Sequence, residues 1–343
     1  MRSTQMRNGG LGLALLSAVA FGGSGVAAKP LIEAGFDPLH VVWMRAAGAA
    51  LVLLPVAVRH RRLPLQRPGL LIGFGLLGIA GVQGLYYVAI SRIPVGVAIL
   101  VEYLGPALLL GWVRFVQRRR VRRAAVVGVT LAVGGMCCVV RIWSGLAFAP
   151  VGLLLAFGAA CCQVAYFVLA DHGTQQPPGT EEDPDIEGDG AGGVPDPVAV
   201  IAHALLIGTA SLTVVARPWD IAWTSLAHQV PFGDVDVPAI LLVGWIVLVS
   251  TVVAYLTGVV AVRRLSPQIA AVVSCIEAVV GTVLAWFLLG EHLGTAQLVG
   301  GGLVLAGAFA AQTAMPSASV ESARSVPPAV PGQRSPQDLT PRL

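Results

Sequence analysis

Apolar runs of spanning length recur down the chain, at 11–28, 39–58, 68–90, 95–116, 124–140, 150–170, 197–216, 238–262, 268–289 and 295–315. Short polar, Arg-bearing or Pro/Gly-containing breaks separate most of them. At about 1.5 Å of rise per residue, some twenty helical residues cross the roughly 30 Å hydrocarbon layer of a bilayer. The pattern predicts an all-α membrane protein with ten transmembrane helices. The first run ends in GVAAK, similar to a signal-peptide cleavage site. It is read as a span because it has nearly the length of one and because the internal repeat described below needs it as its first helix. Residues 171–196, containing TEEDPDIEGDGAGGVPDP, are too acidic and too rich in Pro and Gly to bury a core, and read as a disordered linker between two spans. Residues 316–343, rich in Ser, Pro and Gln, read as an unstructured tail.

Two apolar runs carry an acid near the middle. Glu102 lies in AISRIPVGVAILVEYLGPALLLGWVRF (89–115) and Glu277 in AVRRLSPQIAAVVSCIEAVVGTVLAWFLL (261–289). A charge at the centre of a membrane helix costs roughly 2.5–3.5 kcal/mol on insertion scales, so such acids face a bundle interior or a wet cavity. The plainer reading is an acid kept protonated or used as packing glue. Pro106, four residues after Glu102, cannot donate the helical hydrogen bond to its carbonyl. Gly281, at the same offset from Glu277, is a weak helix position. Both helices are therefore expected to bend beside their acid.

The two stretches align as AISRIPVGVA against AVRRLSPQIA, then Glu102 against Glu277, and downstream GVTLAVGG against GGLVLAGA. The acids sit on the fourth and ninth spans, and a separation of five spans inverts the second copy. Residues 9–142 and 150–315 are thus expected to form two inverted five-helix repeats, the second interrupted by the linker. This is the build of many secondary transporters, with the site near the midplane between halves. Counting ~1.5 Å per residue puts Arg45 ~9 Å into the second span and Glu102 ~10 Å into the fourth from the same side, which predicts an Arg45–Glu102 pair. DPLHVVWMR (37–45) finds a loose counterpart in DPVAVIAHA (196–204), placing His203 near the position of Arg45 and predicting a second pair, His203–Glu277. A lone histidine is more often a satisfied core residue. Trp43, Gln83, Tyr86, Tyr87, Tyr103, Gln163, Tyr166 and Tyr255 are candidates to line a cavity, though each alone also reads as packing.

Composition narrows the class. Charged residues make up only 12% of the chain and the mean hydropathy is +0.79, which excludes a soluble domain with a single core. A net charge of +4 would suit nucleic acid, but the arginines cluster in short breaks between spans and act as orientation signals. With the N-terminus inside, sixteen basic residues fall in inner segments and four (Lys29, Arg92, Arg141 and Arg217) in outer ones, so both termini are expected in the cytoplasm. The five cysteines lie within apolar runs without the spacing of a zinc site, and neither metal nor cofactor is expected.

The stretches AISRIPVGVAILVEYLGP and LAWFLLGEHLGTAQLVGGGLVLAG (284–307), with Gly290–Glu291 in the second, resemble the EamA family of the drug/metabolite transporter superfamily. The resemblance covers residues 9–315. It implies ten helices in two inverted five-helix repeats and transport, usually export, of small metabolites across the cell membrane. VGVAILVEYLGP further resembles the threonine/homoserine exporter type, which implies an amino acid as cargo. The chain departs from the family pattern in three places. QRRRVRR replaces the Gly-Glu ending of the first copy, no proline follows Glu277, and the acidic linker is an addition. These leave the fold intact and weigh against symmetric use of the two acids.

The leading expectation is a secondary transporter exporting a small polar metabolite by alternating access, with Glu102 and Arg45 contacting the substrate or a coupling proton. Uptake, or a drug or lipophilic cation as cargo, is the alternative within transport. An intramembrane enzyme lacks its usual signatures, since there is no HExxH, GxSxG or phosphate loop. A non-transporting scaffold docking through its linker or tail is a third reading.

Overall fold

The computed structural model describes residues 2–116, 118, 123–140, 149–174, 195–264 and 267–314. Most of the acidic linker, the tail and most of QRRRVRR lie outside them. The chain is a succession of apolar helices. α1 (Arg2–Glu33) runs well past both ends of the first apolar run, and α2 (Pro38–Arg59) follows a short turn. After a single-turn helix α3 (Leu63–Gln66), the third rod is α4 (Pro68–Gly73), a π-helical segment (Phe74–Gln83) and α5 (Gly84–Ile90). The fourth rod is split into α6 (Val95–Glu102) and α7 (Gly105–Phe115). Then come α8 (Arg123–Val140), α9 (Pro150–Thr174) and α10 (Pro197–Ala216). The next rod repeats the composite build of the third: α11 (Ala239–Gly244), a second π-helical segment (Trp245–Val253) and α12 (Ala254–Arg264). α13 (Pro267–Leu289) and α14 (Thr295–Ala314) complete the described chain.

Local sequence explains several helix starts. α2 and α10 both begin with Asp-Pro. Asp37 accepts the amide of Leu39 at 2.7 Å and Asp196 that of Val198 at 3.3 Å, while Pro38 and Pro197 occupy first-turn positions where no amide is needed. Among the described residues, seven helices are long and apolar enough to cross a membrane, and Val126–Val140, Cys275–Leu289 and Thr295–Ala311 are shorter apolar helices. Large apolar side chains on outward faces, such as Leu51, Phe115, Leu154, Val214 and Phe287, are exposed, as they are on a surface solvated by lipid tails. The chain is a multi-pass α-helical membrane protein.

One element departs from the all-α expectation. Between α10 and α11, after two short 3₁₀ turns, β1 (Gln229–Phe232) and β2 (Val235–Pro238) pair antiparallel with Val230 opposite Val237. Gly233, with φ +63°, and Asp234 make the two-residue turn, a pairing favoured in tight hairpins. This end of the bundle, which also holds the α5–α6 and α13–α14 turns, is called the hairpin face below.

The helices pack in crossed pairs. α1 lies against α12 and α13, α9 against α5 and α6, α2 against α10, and α8 against α14. The α8–α14 seam is closest. A Cβ built on Gly135 would lie 2.6 Å from the carbonyl oxygen of Gly300, and one on Gly300 2.5 Å from that of Gly135. Seven residues away the arrangement recurs between Gly128 and Gly307. Backbones this close leave no room for any side chain.

Candidate functional site

Glu102 is the last residue of α6. The chain turns at Tyr103–Leu104, where the amide of Leu104 bonds to Val101 at 3.1 Å, and α7 restarts with Pro106 in its first turn. Because Pro106 has no amide to give the carbonyl of Glu102, the rod is interrupted beside its acid. α13, by contrast, continues unbroken past Gly281, so the helix is not interrupted beside its acid there. Glycine keeps its amide, and the site serves for close approach instead: a Cβ on Gly281 would come within 2.6 Å of the Ile99 side chain and 3.1 Å of the Gly22 carbonyl. Restoring the missing hydrogen bond tests the break. Pro106→Ala is expected to leave the melting temperature unchanged or raised while lowering transport, read by thermal unfolding and flux on the same preparation.

The break opens onto a cavity of 450 Å³ lined by residues from both halves of the chain. Glu102, Tyr103, Pro106 and Leu109 come from the split rod, Arg45 from α2, Gln83 and Tyr86 from the third rod. Phe21, Gly22 and Ser24 of α1, Gln163 and Phe167 of α9 and Glu277 of α13 complete its polar and aromatic walls. Glu102 accepts a hydrogen bond from Nε2 of Gln163 at 3.3 Å.

Arg45 is 3% exposed, and each nitrogen of its guanidinium donates to a neighbour. Nε donates to Thr251 Oγ1 at 2.9 Å, and Nη1 donates to Ser24 Oγ and Gln83 Oε1, each at 2.7 Å, and to Tyr87 Oη at 3.2 Å. Nη2 reaches the Ser250 carbonyl at 3.4 Å. Gln83 closes the first π segment, and Ser250 and Thr251 belong to the second. The wider π turn loosens the regular helical ladder, and such turns recur at functional sites. Arg45 is thus gripped between two segments of the same unusual geometry.

All five partners are neutral. No carboxylate lies within ion-pair distance of Arg45 among the described residues, so the expected Arg45–Glu102 contact is replaced by a shared cavity. The hydroxyls and the amide occupy Nε and Nη1, while Nη2, with two N–H bonds, has the Ser250 carbonyl alone. His203 and Glu277 are not brought together: His203 is buried, its Nδ1 is 2.8 Å from the carbonyl of Ala199 one turn back on α10, and it does not line the cavity. It is the satisfied core histidine of the plainer reading.

Of the other candidates, Gln83, Tyr86, Tyr103 and Gln163 line the cavity. Tyr87 and Tyr255 stand behind it: Tyr87 holds Arg45, and Tyr255 meets the ring of Phe21 edge-on at 4.9 Å. Tyr166 packs on Phe74, with ring centroids 4.5 Å apart. Trp43 donates to Thr213 Oγ1 at 2.8 Å and meets Trp223. Sequence reasoning missed Ser24, Thr251, Phe21 and Phe167. A small hydroxyl in an apolar run is too common to single out, and only the partner across the bundle gives it a role.

The family model described as "EamA-like transporter family" matches residues 8–141 and 193–312, most of the chain in two segments. No curated protein matches the sequence. A solved crystal structure 18% identical in sequence, titled only "Crystal structure of protein", shares the fold with a TM-score of 0.52 over 90% of this chain and 98% of the other. A split rod, two intramembrane acids and a cavity between halves fit the two-segment match, and the chain belongs to the EamA-like transporter family, within the drug/metabolite transporter superfamily.

Proposed function

We propose that the protein exports a small amino acid across the cell membrane by alternating access, coupled to a proton, with both termini in the cytoplasm. The observation that carries this reading is the charge pattern of the cavity. One guanidinium with no ionic partner occupies one wall, while Glu102 and Glu277 occupy others. A zwitterion answers both: its carboxylate suits Arg45, and its ammonium suits the acids. The volume of 450 Å³ admits a metabolite of that size. Members of the family are transporters, and a transporter of this kind takes a small-molecule substrate from a lipid bilayer setting.

The proposed architecture is ten spans in two inverted repeats, 9–142 and 150–315. Its support is the exchange of partners between halves. α1 packs on α13 as α9 packs on α6, and both composite rods carry a π segment at the same stage. The aromatic walls, Phe21, Tyr86, Tyr103 and Phe167, favour a lipophilic cation as the second reading. The buried charge of Arg45 opposes it.

Purified protein screened by thermal unfolding against amino acids, sugars, nucleosides and organic cations is expected to be stabilised by amino acids, because a ligand that binds only the folded state raises its melting point. Glu102→Gln is expected to lose that stabilisation or, if binding survives, to transport at a rate that no longer changes with pH. Stabilisation by cations alone, or transport by Glu102→Gln with an unaltered pH profile, removes the corresponding part of the proposal.

A further inference from the structure

Gly290–Glu291, the pair that ends the ninth rod, has no place in the cavity, yet its acid reaches across the bundle. Gly290 takes φ +65°, which ends α13, and the amide of Glu291 bonds back to the carbonyl of Ala285 at 3.3 Å. The carboxylate then crosses to α6: Oε1 accepts the amide of Val95 at 2.8 Å and Oε2 that of Gly96 at 3.2 Å. These are two of the amides a helix start leaves without internal partners. From the other side, Nζ of Lys29 on α1 donates to the carbonyls of Ile90 at 2.6 Å and Ile93 at 3.4 Å, in the turn leading into α6. An anion on the amides and a cation on the carbonyls therefore hold one short turn from two different helices.

The element they hold is a peg. α6 is only eight residues long, freed at its far end by the break at Tyr103–Leu104, and its last residue is Glu102. Beside its first turn the packing is tight: Gly25 of α1 leaves no space against Tyr86 and Val95, and Gly96 faces Thr282 and Leu293. Below this seal the cavity begins. Ile99 and Phe167 both line it, and the first turn of α9 meets the α5–α6 turn, Gly152 facing Ile93 and Arg92. By ~1.5 Å per residue, Ile99 lies ~6 Å and Phe167 ~25 Å from the hairpin face, so the cavity extends away from that face.

We propose that Lys29 and Glu291 form a two-sided latch that docks α6 over the cavity at the hairpin face, and that its release opens the cavity to that side. They are positioning residues: neither lines the cavity, and both act through the height of α6 and hence of Glu102. The proposal rests on the alternating-access reading above. The absence of a Gly-Glu pair after α7 confines this latch to one face.

The test reads access from each face separately. Ile99→Cys is placed in a full-length chain whose five cysteines are replaced by alanine, and a membrane-impermeant maleimide is applied to right-side-out and inside-out vesicles. Glu291→Ala and Lys29→Met are each expected to raise the labelling rate from the hairpin face about tenfold, the usual worth of a hydrogen bond to a charged group expressed as an equilibrium constant. Labelling from the other face is expected to stay the same or fall. Glu291→Gln, which keeps one carbonyl acceptor, should lie between. Unchanged rates in the double variant, or a rise that is equal on both faces, overturn the latch, the second outcome marking a merely loosened fold. Transport is measured on the same vesicles. A one-sided labelling change with no amino-acid flux in the unlatched or parent protein refutes the amino-acid export reading and leaves the latch standing.

Discussion

Arg45→Met is expected to abolish binding and transport of any substrate that presents a carboxylate, while the protein still folds. The guanidinium donates only to neutral groups, Ser24, Gln83, Tyr87, Thr251 and the Ser250 carbonyl, so its charge is uncompensated where it meets the cavity. Removing one member of a buried, hydrogen-bonded charge pair costs about 2–5 kcal/mol in binding, or roughly thirty- to several thousand-fold in Kd. Folding suffers less, because removing the charge also removes its desolvation cost and a flexible thioether fills much of the same volume. Arg45→Lys is not expected to rescue. A compact ammonium carries three donors and cannot span acceptors on α1, the third rod and the second π segment at once. Ligand-induced shifts in melting temperature, compared with the unliganded melting temperature of each variant, separate loss of recognition from loss of fold. Normal amino-acid affinity in Arg45→Met would place the carboxylate elsewhere.

The second large effect falls far from the cavity. Gly135→Val and Gly300→Val are each expected to prevent recovery of a monodisperse protein, or to lower its melting temperature by about 2–12 °C, the order of magnitude for overpacking of about 1–3 kcal/mol. Each glycine faces a peptide carbonyl rather than a flexible side chain, so relief requires moving a whole helix. Gly134→Val, where a Cβ meets nothing within 4 Å, is the control and should behave as the parent. Size-exclusion profiles and thermal unfolding of the three variants decide it.

The helical rods were legible because span length and apolar content are set by the bilayer, and so were the acids, which are costly in lipid and therefore conspicuous. Pro106 was legible as an interruption because it lacks a donor whatever surrounds it. Gly281 was not, since a glycine in a helix permits a bend or a crossing alike and only Gly22 on the neighbouring helix decides between them. Depth counting brought Arg45 and Glu102 to one level, but level says nothing about direction around a helix, and the guanidinium turns to hydroxyls and an amide instead. His203 failed for the same reason. The alignment of GVTLAVGG with GGLVLAGA is one residue out of step with the glycines of the seam: Gly128 and Gly135 correspond to Gly300 and Gly307. The hairpin had a readable signal in Gly233–Asp234 between alternating segments, overlooked beside so much apolar helix.

The seam between α8 and α14 reads identically from either side, Gly128 meeting Gly307 and Gly135 meeting Gly300. That is the form of an isologous interface, where position i meets j and j meets i. Two separate identical subunits joined this way would be bound to match at every position, and a site with two acids would carry two guanidiniums. Joining the halves in one polypeptide lifts that constraint. Where α2 has Arg45, eight residues after its Asp-Pro start, α10 has Ala204. With both acids ionised, one guanidinium leaves the chamber with a net charge of −1, a single positive charge short of neutrality. On the proposed amino-acid reading the zwitterion adds none, and a single proton on either acid would restore the balance.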